Sequence, residues 1–114
     1  MNNQPIHIII LYLLLPLSII SQSNKQQVKY ANQLVKEGNH YGASIYYKKA
    51  LNIDSADIDL IYKYAHSLKN YNNYIDAETY FKKITEKDRG GRIYKDASLW
   101  LASMQKFNSK YKAS

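Results

Sequence analysis

The chain is 114 residues long, enough for one small domain, and carries 16 Lys and Arg against 9 Asp and Glu for a net charge of +7. It contains no cysteine, which excludes a disulfide framework, a thiolate zinc site, a cysteine nucleophile and a lipid-modified cysteine anchor. The positive charge is spread over the chain instead of forming one run, the pattern of a solvated surface that also attracts anionic partners.

From Ile6 to Ile20 the residues are apolar except for His7, Tyr12, Pro16 and Ser18, and no charged side chain precedes Lys25. The stretch is shorter than the ~20 residues that cross a bilayer as a helix. It reads as the core of a signal peptide over residues 1–21, cut after Ser21, although the segment before it lacks the usual Lys or Arg. The mature, exported domain is then residues 22–114.

A first helix is expected from about Asn24 to Glu37, with Val28, Ala31, Leu34 and Val35 at helical spacing. Gly38 stops it, and Asn39 caps a second helix, about Tyr41 to Asn52. Asp54-Ser55-Ala56-Asp57 offers caps and first-turn acid for a third, about Ala56 to Lys69. Asn70 to Asn73 form the next turn, and a fourth helix runs from about Tyr74 to Glu86. The Gly90-Gly91 pair marks the clearest break. A fifth helix is expected from about Tyr94 to Phe107, then a turn at Asn108 and Ser109, then the start of a sixth at Tyr111.

Across these elements the sequence repeats itself. Lys29, Tyr30, Ala31, Leu34, Asn39, Ala43, Tyr46, Lys48 and Lys49 recur 34 residues later as Lys63, Tyr64, Ala65, Leu68, Asn73, Ala77, Tyr80, Lys82 and Lys83. A fixed period of this length is the signature of stacked helical hairpins.

On these residues the chain resembles the tetratricopeptide repeat family. The small positions of that repeat are matched by Ala31, Ala43 and Ala50, then by Ala65, Ala77 and Ile84. The large ones are matched by Tyr30, Leu34 and Tyr47, with His40 replacing the usual Tyr, then by Tyr64, Leu68, Tyr74 and Phe81. Shifting the register by three residues gives a third copy with Leu101, Ala102, Tyr111 and Ser114 at repeat positions. The resemblance implies an all-α helix-turn-helix solenoid of about two and a half antiparallel hairpins, over residues 24–55, 56–89 and, incompletely, 92–114. The third hairpin is cut off, so Leu99, Trp100, Leu101, Met104 and Tyr111 are expected to be partly bare and the chain to be the start of a longer protein.

The signal segment, the Tyr- and Lys-rich hairpins and the Asp-Arg-Gly-Gly connector also look like the start of a group of bacterial envelope proteins. In that group such repeats precede a β-propeller and an outer-membrane-protein-A-like domain that binds peptidoglycan, sometimes linked to type IX secretion. The likeness implies a periplasmic or outer-membrane-associated scaffold.

No catalytic or metal constellation stands out. His7, His40 and His66 have no metal spacing, and Asp54-x-x-Asp57-x-Asp59 lacks the glycine and terminal glutamate of a calcium loop. The expectation is therefore a non-enzymatic binding protein, without cofactor, small-molecule substrate or nucleic acid. By the family's mapping the first helices line a concave groove. The candidate partner-binding residues are Asn32, Lys36, Tyr62, His66, Lys69, Asn70 and Lys106, and an extended protein segment with acidic and apolar side chains is the expected guest. The alternative is a spacer or oligomerisation module that contacts a downstream domain or envelope complex. The pairs Lys48-Lys49 and Lys82-Lys83 fall on the second helices, either as a solvated convex face or as a contact for an anionic envelope surface.

Overall fold

The computed structural model describes residues 24–113, so the expected signal peptide lies outside the described residues. These residues form helices α1 (24–36), α2 (His40–Ile53), α3 (Ile58–Asn70), α4 (Tyr74–Lys87) and α5 (Ala97–Ala113), with no strand among them. Helices adjacent in sequence pack on each other, α2 on α3, α3 on α4 and α4 on α5. Helix α1 joins α2 where the Tyr47 hydroxyl donates to Asn32 and the Tyr30 and Tyr46 rings meet edge to face at 4.5 Å. The molecule is thus the expected all-α stack of consecutive helices.

The repeat is visible in the backbone as well as in the sequence. Gly38 closes α1 at φ +78°, and Asn72, its counterpart 34 residues on, closes α3 at φ +73°. Each stop uses the equivalent hydrogen bond, Asn39 N to Leu34 O in the first and Asn73 N to Leu68 O in the second, both 2.8 Å. The left-handed conformation suits glycine and, next best, asparagine. Asn39 and Asn73 then cap α2 and α4 by accepting from Gly42 N at 2.8 Å and Asp76 N at 3.3 Å.

Small residues sit where the helices approach most closely. Ala31, Ala43, Ala50, Ala65 and Ala77 are wholly buried, and Leu34, Tyr47, Tyr64, Leu68, Phe81 and Ile84 pack around them. Tyr30 departs from this pattern, since it is half exposed although Tyr64 at the matching position is buried. Tyr64 lies against Tyr80 at 4.7 Å and beneath Lys48, which belongs to the preceding hairpin. No described element precedes α1 to cover Tyr30 in the same way.

Two boundaries shift for identifiable reasons. Helix α3 begins at Ile58, not Ala56, because Asp57 is the residue that caps it, accepting from Asp59 N and Leu60 N. Helix α5 begins at Ala97, not Tyr94, because the Asp88 carboxylate holds residues 93 and 94 in the connector by accepting from Ile93 N and Tyr94 N at 3.1 and 2.8 Å.

A larger correction concerns the end of the chain. Helix α5 runs unbroken for 17 residues, so there is no turn at Asn108 and Ser109 and no sixth helix starting at Tyr111. Asn108 is buried inside the helix and donates to Tyr74 O at 3.0 Å and to Glu78 Oε1 at 2.8 Å, both on α4. Ser109 donates back to Gln105 O. Both turn-favouring side chains are thereby satisfied without a turn.

The shifted register still shows in which face of α5 is covered. Residues 37 apart compare as follows: Leu60, Tyr64 and Ser67 are buried, and Ala97, Leu101 and Met104 are buried or half-buried. Ile61, Ala65 and Leu68 are buried, whereas Ser98, Ala102 and Gln105 are exposed. Helix α3 has α2 on one side and α4 on the other, while α5 packs on α4. Met104 is therefore in the core instead of bare, Ala102 is not at a close helix contact, and Leu99 is 71% exposed.

Candidate interaction site

Tyr62, His66 and Lys69 follow one another at helical spacing on α3, which puts them on one stripe. The stripe faces the start of α5. Asp96, just before that helix, accepts from the Tyr62 hydroxyl at 3.0 Å and from Trp100 Nε1 at 3.0 Å. His66 Nε2 stands 3.9 Å from the same carboxylate with no hydrogen-bond partner. Lys69 Nζ lies 3.7 Å from the centre of the Trp100 ring, a cation–π contact. Tyr94 completes the cluster, stacking obliquely on Tyr62 at 4.6 Å and donating to Asp59 at 3.5 Å.

The electrostatics follow from this crowding. Burial, then the hydrogen bond and negative charge of Asp96, push the Tyr62 hydroxyl up to about 12. It therefore stays a protonated donor. Burial and the neighbouring Lys69 charge lower the His66 imidazole from its ordinary value, and Asp96 opposes them. Burial lowers Lys69 as well. Phenol, indole and carboxylate are engaged with one another, so the cluster acts as a tie between α3 and α5.

The seven expected partner-binding residues divide into groups. Tyr62, His66 and Lys69 belong to this tie. Asn70, with Tyr62 and His66, borders a cavity of about 120 Å³ that also touches Val35 and His40. Asn32 and Lys36 belong to a separate open cleft of about 850 Å³, walled by Lys25, Val28 and Lys29 of α1 and, opposite, by Ile53, Asp54, Asp57 and Leu60. Lys106 is exposed on α5 and borders neither cavity.

Sequence reasoning did not foresee Asp96 as the common acceptor, and it missed Trp100 as a partner of Lys69. One signal was available, since Asp96 and Trp100 are four residues apart on one helical face. The cleft had a weaker signal in Lys25, Lys29 and Lys36, which recur along α1 opposite the acidic turn before α3. Among the described residues no group of three or more His, Cys, Asp or Glu is placed to hold a metal ion. None of the described helices is long and apolar enough to cross a membrane. No protein-family model, curated protein or solved structure matches the chain.

Proposed function

We propose that the protein is a non-enzymatic interaction scaffold of the bacterial cell envelope, built on tetratricopeptide-like hairpins, that binds an extended segment of a partner protein. The observation that carries the reading is the 850 Å³ cleft between α1 and the α2–α3 turn. Its wall of Lys25, Lys29 and Lys36 has no carboxylate partner within ion-pair distance among the described residues. Val28 and Leu60 give it apolar surface, Asn32 and Gln33 add amide groups, and Asp54 and Asp57 put negative charge on the opposite wall. Unpaired ammonium groups along the α1 wall favour a guest that alternates acidic and apolar side chains and turns its acidic groups toward α1, away from Asp54 and Asp57. The repeat resemblance and the apolar leader support the envelope setting.

The test is an array of extended peptides probed with the full chain. Acidic-apolar peptides should bind, and replacing Lys25, Lys29 and Lys36 together by Ala should weaken them by at least about tenfold, the effect of ~1.4 kcal/mol. Unchanged binding by that variant would overturn the reading.

A second reading, a spacer or oligomerisation module of a larger peptidoglycan-associated protein, is favoured by the engagement of Tyr62, His66 and Lys69 within the chain and by the exposed Leu99. Light scattering over a range of concentrations separates a stacking unit from a monomer.

A further inference from the structure

The outward faces of α2 and α4 carry a second, different surface. On α2 the exposed residues Tyr41, Ile45, Lys48, Lys49 and Asn52 follow one stripe. On α4 the matching stripe is Ile75, Thr79, Lys82, Lys83 and Glu86. Both stripes therefore place exposed apolar side chains toward the amino-terminal half and a lysine pair toward the other. Tyr41 is 61% and Ile75 is 68% exposed.

The stripes are joined to each other. Lys48 Nζ donates to the Tyr80 hydroxyl at 2.9 Å, which links α2 to α4, and Tyr41 meets Tyr71 edge to face at 5.3 Å. The lysines rest on aromatic rings, Lys49 at 4.7 Å from the Tyr46 centre and Lys83 at 4.5 Å from that of Tyr80. Stacking on a ring fixes the ammonium group without neutralising it. Lys63 with Asp59 is the only ion pair of a lysine or arginine among the described residues, so none of these four lysines is matched by a carboxylate.

From this we infer that the α2–α4 face docks on an anionic lipid bilayer, with Lys48, Lys49, Lys82 and Lys83 at the headgroups and Tyr41, Ile45 and Ile75 in the interfacial layer. Four unpaired cations against the single carboxylate of Glu86 leave the two stripes net positive, complementary to a negatively charged plane. The apolar half decides for lipid over a polyanionic chain, because phosphate or sugar contacts would leave Ile45 and Ile75 in water, whereas the acyl boundary buries them. This face is separate from the cleft, so peptide binding and lipid binding can fail independently.

The experiment is co-sedimentation of the full chain with vesicles of phosphatidylcholine alone and of phosphatidylcholine with phosphatidylglycerol. The apolar leader is common to every protein compared, and its contribution is read from the neutral vesicles. Binding should be stronger to the anionic vesicles and should fall as salt rises. Replacing the four lysines by Gln should remove that excess, at about fivefold per lysine, converted from ~1 kcal/mol each. Lys48 touches Tyr80, so a second variant, Tyr41→Ser with Ile45→Ser and Ile75→Ser, changes only exposed side chains. It should weaken anionic-vesicle binding at a salt concentration where charge is screened. Equal binding to both vesicles, an unaltered excess in the lysine variant, or binding to a single-stranded oligonucleotide that matches the vesicles and ignores the apolar variant would each overturn the proposal.

Discussion

Truncating Asp96 tests the tie between α3 and α5 directly. In Asp96→Ala the Tyr62 hydroxyl and Trp100 Nε1 lose the carboxylate that accepts both at 3.0 Å. The Tyr62 proton is shared between two oxygens, so two hydrogen bonds to a charged group are lost, not three. Each contributes roughly 1.5–3 kcal/mol when well buried. The Asp96 side chain is 45% exposed, and water can replace part of each bond, which brings the expected total to about 2 kcal/mol. For a domain of this size that lowers Tm by about 8–15 °C. Trp100 is the single tryptophan, so its fluorescence reports the site while circular dichroism reports the helices during denaturant unfolding of the full chain. A cycle with Tyr62→Phe should give a coupling of about 1 kcal/mol. A loss below about 0.5 kcal/mol, or no coupling to Tyr62, would refute the tie.

Other expectations concern the repeat and its titrating groups. Gly38→Ala should cost about 1–2 kcal/mol in denaturant unfolding, because φ +78° penalises a Cβ even though nothing lies within 4 Å of it. Ala43→Leu should overpack the first hairpin at a wholly buried position and cost roughly 1–3 kcal/mol, read as a fall in the denaturant midpoint. At alkaline pH, Tyr62 and Tyr64 titrate at about 12 when folded, above the ordinary value of 10.0. The unfolded chain therefore releases these protons first, and the stability they contribute should be lost between about pH 10 and 12. At the acid end, the lowered His66 imidazole means that the unfolded chain takes up its proton first, so stability should fall as pH drops below about 6.5. His66→Phe, which keeps the edge contacts to Phe81 and Trp100, should remove that acid step in equilibrium melts.

The parts of this fold legible in the sequence were those set by local chemistry. Gly38, Asn39 and Asn73 act within one turn of themselves, so their pattern located three helix ends. Ala43 and Ala77 identified the close approach because only small side chains fit there. What escaped was decided by neighbours distant in the chain. Asn108 and Ser109 read as a turn, since nothing local reveals that Tyr74 and Glu78 will satisfy the Asn108 amide inside a helix. Tyr30 and Tyr64 are identical in sequence context yet differ in burial, because exposure depends on which helix lies alongside. In the candidate site Tyr62, His66 and Lys69 were named from the repeat resemblance, which maps them to the groove face of a first helix. The engagement of that stripe by Asp96 was not legible, because that contact needs the geometry of the connector.

That connector has a practical use. Asp88 closes it like a clasp, holding Ile93 N and Tyr94 N while Gly91 N returns to the Asp88 carbonyl. Between the clasped ends a Cβ at Gly90 would meet nothing within 4 Å, and Arg89 and Arg92 are exposed. In a chain without cysteine, a cysteine introduced at Arg89 would be a unique attachment point, and a reporter there would sit beside the junction of α4 and α5 without entering the core.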